Sequence, residues 1–404
     1  MAMSKFCWIV IAVCLLAAPI HAQEETVAPN TESGTEGTSV GFGGFVDVAH
    51  AVGRKAGNAN TLGDNNFNNM RTLLMFNAQQ GSKIRADVEV LFDDRSKDRI
   101  RLQGAFVTIF DVPNEAVNFM IGKIPNPFGN FAKREFSDVN PLIGQPLMRQ
   151  YRTALDWNNL WNNAEQIARK SERKKYDGNI PISRFEAATP TVYDARWDFG
   201  VQMFGTIGWF EYQAAVTEGS ISNPEADLNK GKQFVGRIGF NPVPGIRIGF
   251  SGAYNPYLSK ADDQRLLEEG KGLGEYHQTA YGADWELSYR YFMMSGEFVR
   301  STWDATVIEG ELSNWSIYSD IKYKLHPRWY IAGRYDIMRF SEIRESKLSS
   351  KKTPWDYNVQ RYEAGIGFRV TTDVTLKLVE QWTRFDQSEI PMSRLTAVQL
   401  SVPF

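Results

Sequence analysis

The amino-acid sequence predicts an all-β protein, a transmembrane antiparallel β-barrel of about 16 strands whose long third loop folds into the lumen. Three observations predict it. The chain ends on TAVQLSVPF, with Phe404, Val402, Leu400 and Val398 on one face and Pro403, Ser401, Gln399 and Ala397 on the other, which is the period-2 pattern of a strand. Aromatic residues make up 13% of a chain whose mean hydropathy is only -0.37, a balance that suits strands facing lipid on one side and water on the other. The connections between candidate strands alternate long and short along the whole chain, as in a barrel with short periplasmic turns and longer outer loops.

Residues 1–22, MAMSKFCWIVIAVCLLAAPIHA, read as a secretory signal peptide. Lys5 precedes an apolar run from Phe6 to Ala18, and small residues lead to cleavage after Ala22. The run is too short for a spanning helix, which needs about 20 apolar residues. Cys7 and Cys14 both lie within it, so the mature chain is held together by backbone pairing and packing without a disulfide. Residues 23–39 contain almost no core-forming side chains and read as a disordered leader. The barrel occupies residues 40–404. With 45 basic and 47 acidic residues the formal charge is -2, and nothing in that balance points to nucleic acid as a partner.

Alternation divides the barrel into strands at 40–50, 69–80, 82–92, 100–110, 116–124, 192–205, 207–217, 232–240, 246–254, 276–288, 291–301, 312–324, 329–340, 357–370, 374–385 and 394–404. In SKIRADVEVLF, Ile84, Ala86, Val88, Val90 and Phe92 oppose Lys83, Arg85, Asp87 and Glu89. SIYSDIKYKL opposes Ile317, Ile321, Tyr323 and Leu325 to Tyr318, Asp320, Lys322 and Lys324, and YEAGIGFRV and PGIRIGFSGAY follow the same rule. The short connections are Gly81, 111–115, Thr206, 241–245, 289–290, 325–328 and 371–373; the others are longer. Trp209, Trp285, Trp315, Trp329 and Trp382 fall near strand ends or on outward faces and suit interfacial girdles, whereas Trp157, Trp161 and Trp355 suit packing under loops.

The connection at 125–191 is too long for a plain surface loop. Its first part, PNPFGNFAKREFSDVNPLIGQPLMRQYRTALDW, spreads aromatics and prolines throughout and reads as ordered, while IARKSERKKYDGN reads as a soluble tip. Ten basic and seven acidic residues give the connection a net charge of +3. Lys133, Arg134, Arg149 and Arg152 are its candidates for a constriction that contacts passing anions. Equally, these arginines could pair with barrel carboxylates and pin the loop.

On the barrel wall the predicted inward basic residues are Arg85, Arg101, Arg196, Arg237, Arg247, Lys322, Arg361 and Arg369, together with Lys83, Lys324, Arg334 and Lys377. The inward acids are Asp87, Glu89, Asp194, Asp198, Glu211, Asp284, Glu286, Glu297, Asp320, Asp336 and Glu363. This near balance predicts a general or weakly selective channel unless the two signs segregate. Enzymatic readings find little support. The mature histidines are His50, His277 and His326, and no serine with a matching orienting residue stands out beside them. No two histidines share ligand spacing, so no metal or cofactor is expected. The competing reading is a surface-binding barrel, an adhesin or receptor with a blocked pore, and the direction taken by 125–191 separates the two.

AFVTIFDVPNEAVNFMIGKIPNPFGNF, FEYQAAVTEGS, GKQFVGRIGFNPVPGIRIGFSGAY and YGADWELSYRYFMMSGEFV, with GKIPNPFG at 122–129 as the most specific element, resemble the phosphate-selective porin O and P family of Gram-negative outer membranes. The resemblance implies a 16-stranded porin that sits among outer-membrane lipid and lipopolysaccharide, forms a homotrimer and passes small hydrophilic solutes by diffusion. It also implies that Phe404 is a mark read by the barrel-assembly machinery. Phosphate selectivity does not carry over, because the family's arginine ladder is mixed with acids here.

Overall fold

Apolar and charged residues separate onto the two faces of one strand, and the separation repeats around a closed sheet. The computed structural model describes residues 37–52, 70–94, 99–112, 116–155, 189–192, 197–222, 231–258, 267–305, 311–344, 352–386 and 392–404. The signal peptide and nearly all of the leader lie outside them, as do Arg196, Asp194, Trp157 and Trp161. The strands are β1 (Thr38–Val52), β2 (Met70–Gln80), β3 (Ile84–Asp93), β4 (Ile100–Ile109), β5 (Asn118–Pro125), β6 (Trp197–Ile207), β7 (Phe210–Thr217), β8 (Gln233–Val243), β9 (Ile246–Pro256), β10 (His277–Tyr289), β11 (Phe292–Trp303), β12 (Leu312–His326), β13 (Trp329–Phe340), β14 (Glu342–Arg344), β15 (Lys352–Pro354), β16 (Val359–Arg369), β17 (Thr375–Phe385) and β18 (Ser393–Pro403).

All except β14 and β15 close into one barrel of 16 strands, each antiparallel to its neighbours, with β1 paired to β18. Closure leaves no unpaired edge in lipid, where a bare N–H or C=O costs several kcal/mol. Each barrel strand overlaps one predicted from the sequence. One short turn falls later than predicted: Thr206 continues β6, paired with Glu211, and the chain reverses at Gly208, whose φ is +60. Glycine tolerates that conformation without a Cβ clash, and alternation alone does not mark it. The hairpin β14–β15 was not predicted, because three residues per strand are too few to show a period. Trp355 follows it, is fully buried, and donates its indole N–H to the Ser313 carbonyl at 2.8 Å while its ring meets Phe340 and Trp303 edge-on.

The inward and outward sets stand as predicted wherever they are described. Asp87 faces Asn77 and Asp320 faces Arg334 on the inside, while Val88, Ile321, Phe250 and Ile366 are exposed on the outside. Aromatic residues cluster near the outer-surface ends. Trp329 packs on Phe368 with centroids 4.4 Å apart and Trp209 on Phe240 at 5.6 Å near the short turns, while Trp315 lies toward the long loops.

The terminal residue extends the seam. Gly44 N–H donates to the Phe404 carbonyl at 3.0 Å, the Phe404 N–H donates to the Gly44 carbonyl at 2.9 Å, and the Phe404 ring lies 5.8 Å from that of Phe42. Deleting Phe404 removes both bonds and the ring contact. We expect a loss of about 2 kcal/mol at the closing seam, seen as less heat-modifiable, assembled protein in unheated gels; unchanged assembly would count against this role.

Candidate functional site

The third connection turns into the barrel. Its turn begins at Gly129, whose φ is +70, with its amide donating to Ser251 Oγ at 3.0 Å; a Cβ there would come within 2.6 Å of the Glu297 carboxylate. A 3-10 turn (Phe131–Arg134) and a one-turn helix α1 (Leu147–Gln150) follow. Phe128, Phe131, Leu147, Met148 and Tyr151 pack with inward Val299, Tyr318, Met338 and Val359 of β11, β12, β13 and β16 in one buried cluster. Burial of such side chains contributes about 1.5–3 kcal/mol each, so apolar contact supplies the adhesion and polar groups set the register.

Those polar groups come from consecutive strands. Glu297 on β11 accepts from the amides of Asn130 and Phe131, the latter at 2.5 Å, and from Arg149 Nη2 at 2.8 Å. Asp336 on β13 accepts from the Leu147 amide. Glu363 on β16 accepts from the amides of Ile143 and Gly144 at 3.3 and 3.0 Å. Lys377 on β17 donates to the carbonyls of Ser137, Asn140 and Leu142 at 2.5, 2.6 and 3.3 Å. Arg334 donates to the Gly144 carbonyl at 2.6 Å while pairing with Asp320, and Ser137 and Ser401 hydroxyls lie 2.8 Å apart. The loop thus spans the inner wall from β9 to β18, and Phe136 carries it on to the buried Phe45, Leu73 and Leu91 of β1–β3, its ring 5.1 Å from that of Phe45.

The predicted site residues divide by what they touch. Arg134 pairs with Glu286. Arg149 is 0% exposed, is held by Glu297 and lies 5.2 Å from the centroid of the Phe131 ring. Of the two roles the sequence leaves open for it, the structure shows the pinning one. Arg361, also 0% exposed, donates to Gln150 Oε1 at 2.7 Å and Thr383 Oγ1 at 3.1 Å. Arg237, 3% exposed, forks onto Asp284 at 2.8 and 2.7 Å and reaches Glu211 at 2.5 Å. These three point inward as predicted but are covered, because a guanidinium out of bulk water is stable only against carboxylates and carbonyls that replace its hydration. Lys133 lies in the 3-10 turn and Arg152 just past α1, partly exposed.

The other wall residues keep contact with solvent. Arg85 pairs with Asp87 at 2.6 Å and retains 44% side-chain exposure. Arg101 faces inward opposite Leu91 and is partly exposed. Arg247 donates to Asn241 Oδ1 at 3.0 Å. Lys322, Lys324 and Arg369 share the short-turn end of β12 and β16, linked through β13, where Lys322 faces Ala332, Ala332 faces Gly365, and Tyr330 faces both Lys324 and Gly367. Lys322 lies over the Tyr330 ring at 4.4 Å. None of the three has a carboxylate partner among the described residues.

That loop arginines pin the loop to barrel carboxylates was one of the two roles left open, and Glu286 and Glu297 are those carboxylates; the anchoring by Asp336, Glu363 and Lys377 was not predicted, although all five are in the predicted inward set. The available signal was the break in inward polarity: Val299, Met338 and Val359 are apolar at inward positions, and such residues need a cover. Among the described residues no group of three His, Cys, Asp or Glu is placed to hold a metal.

No family model and no curated protein matches the chain. Solved structures do. An anion-selective porin from Comamonas acidovorans aligns with TM-score 0.56 at 9% identity over 91% of this chain and 100% of that one. Salmonella typhi OmpF in complex with daunomycin aligns with TM-score 0.56 at 8% identity over 90% and 97%. A loop-deleted OmpT, an outer membrane protein of Vibrio cholerae, aligns with TM-score 0.54 at 9% identity over 91% and 99%. At these identities the likeness is one of fold. The chain is a closed, 16-stranded antiparallel transmembrane β-barrel of the Gram-negative outer membrane, with the fold of known outer-membrane channels.

Proposed function

We propose that the protein is a porin, a water-filled channel for passive diffusion of small hydrophilic solutes and ions, with anions favoured, and that it has no catalytic role. The observation that carries this reading is the inward course of residues 126–155, anchored along the wall while several inward residues of β2–β4 keep contact with solvent. On β2–β4, inward Arg101, Glu89, Met75, Asn77 and Arg85 are at least partly exposed, whereas Leu73 and Leu91 between them are buried under Phe136 of the loop. A loop that narrows the lumen without filling it is what a diffusion channel needs; a surface receptor would present those residues outward.

Most inward charges neutralise one another in the pairs described above. The remainder at the periplasmic end is basic: Lys322, Lys324 and Arg369. A surplus of one sign at a pore mouth concentrates the opposite ion. The finer resemblance to phosphate-selective porins rests on GKIPNPFG and its companion stretches; the homotrimer follows from the same resemblance, and cross-linking of the detergent-extracted protein tests it.

The test is single-channel conductance in a planar bilayer, with the reversal potential read under a salt gradient. Stepwise conductance with an anion-selective sign is expected. Replacing Lys322, Lys324 and Arg369 together with glutamine should lower the anion-to-cation permeability ratio about fivefold, the effect of roughly 1 kcal/mol at the mouth. Folded protein that never conducts would overturn the channel, and an unchanged reversal potential in the triple variant would overturn the anion preference.

A further inference from the structure

Four of the five outward-facing cations of the barrel strands among the described residues share one sector and one height. Within the barrel strands the outward-facing lysines and arginines among the described residues are Lys123, Arg300, Arg339, Arg384 and Arg394. The last four stand at the loop ends of β11, β13, β17 and β18, neighbouring strands of one half of the barrel. Arg300 faces Trp315, which faces Arg339; farther round, Arg384 faces Gln360 and Arg394 faces Trp382. The outward face near the short turns carries no lysine or arginine within these strands.

An arginine on this face is costly in hydrocarbon and cheap only at the interface, so the row marks the level of the outer-leaflet head groups. Arg300 and Arg339 are held loosely by their partners, whereas Arg394 is held closely by Glu380. Arg300 meets Glu311 at 3.2 Å with both side chains about half exposed, and Arg339 meets Asp386 at 3.7 Å. Arg394 meets Glu380 while remaining 67% exposed, and Arg384 is exposed with no carboxylate partner among the described residues. Exposed pairs of this kind contribute little, which leaves the guanidiniums available to a stronger acceptor. Planar guanidinium forks match phosphate oxygens in pairs, and Trp315 and Trp382 between them suit the sugar and acyl boundary of a glycolipid.

We propose that the outer ends of β11, β13, β17 and β18 form a docking surface for the phosphate groups of the outer-leaflet glycolipid, lipopolysaccharide, with Arg339, Arg384 and Arg394 as its main contacts. This rests on the outer-membrane placement and is independent of the channel reading. The protein, extracted and washed in detergent, is assayed for retained lipopolysaccharide, and is then offered phosphorylated lipopolysaccharide, its dephosphorylated form, or phosphatidylglycerol vesicles. Wild-type protein is expected to retain the phosphorylated form alone. The variant R339Q/R384Q/R394Q should retain at least tenfold less, R384Q by itself severalfold less, and K123Q as much as wild type. Unheated gels of the same preparations show that each barrel is folded, and failure to conduct with normal retention would strike the channel and spare this site. Equal retention by R384Q and wild type, equal retention of dephosphorylated lipid, or equal binding of phosphatidylglycerol would overturn the proposal. So would loss of oligomer in the triple variant with retention unchanged, since the wall would then be a contact between copies.

Discussion

Replacing Glu297 with alanine is expected to undock the inward loop and raise the single-channel conductance. The carboxylate, 2% exposed in its side chain, accepts from two backbone amides and one guanidinium. Without it Arg149 is left as a buried charge, and its Nε and Nη1 already have no partner among the described residues. Breaking a buried pair by removing one member costs about 3–5 kcal/mol. The barrel ladder does not depend on that pair, so the cost falls on the loop. Residues 126–155 should become cleavable by protease in the variant while unheated gels still show a folded barrel. The isosteric Glu297→Gln keeps an acceptor for the amides and should show a smaller effect of about 1–2 kcal/mol. A variant with wild-type conductance and protease resistance would show that apolar packing alone holds the loop.

Lys377→Met should loosen a different stretch of the same loop. The ammonium is 2% exposed and shares its three donors among the carbonyls of Ser137, Asn140 and Leu142 and Gln399 Oε1 at 3.2 Å. Methionine fills much the same volume but strands those carbonyls away from water. Part of that loss is offset because a desolvated charge is no longer buried, leaving a net cost of about 2 kcal/mol. The opening is expected near 137–142, on the side of the wall next to β1, with the Glu297 anchor intact. Conductance should therefore rise less than in Glu297→Ala, and the double variant should exceed either. If the double variant matched Glu297→Ala alone, the loop would move as one body and Lys377 would not act as a separate anchor.

These two residues show where a sequence reading stops. Alternation places Glu297 and Lys377 on the inner face without ambiguity, because a strand offers only two faces and the outer one meets lipid. What each touches there is not a local property. Glu297 is 148 residues from Arg149 and Lys377 is 240 from Ser137, and nothing in either neighbourhood names the partner. For that reason Arg237 and Arg361 read from sequence as pore-lining cations and stand in the structure covered, Arg237 by Asp284 and Glu211 and Arg361 by Gln150 and Thr383, while the sequence left the role of Arg149 open.

The all-β barrel, its 16 strands, their faces, the girdle tryptophans and the long third loop are legible in the residues alone. A period of 2 against a lipid boundary is a local rule, legible wherever lipid and water lie on opposite sides. Only the folded chain shows that the loop lies along β9–β18 and reaches β1–β3 through Phe136. It decided which charges cancel, and it gathered Lys322, Lys324 and Arg369 at one mouth and four arginines on one outer sector. Those outcomes depend on distances between residues far apart in the chain, and Coulomb and hydrogen-bond energies depend on separation in space and on burial, neither of which a strand pattern contains.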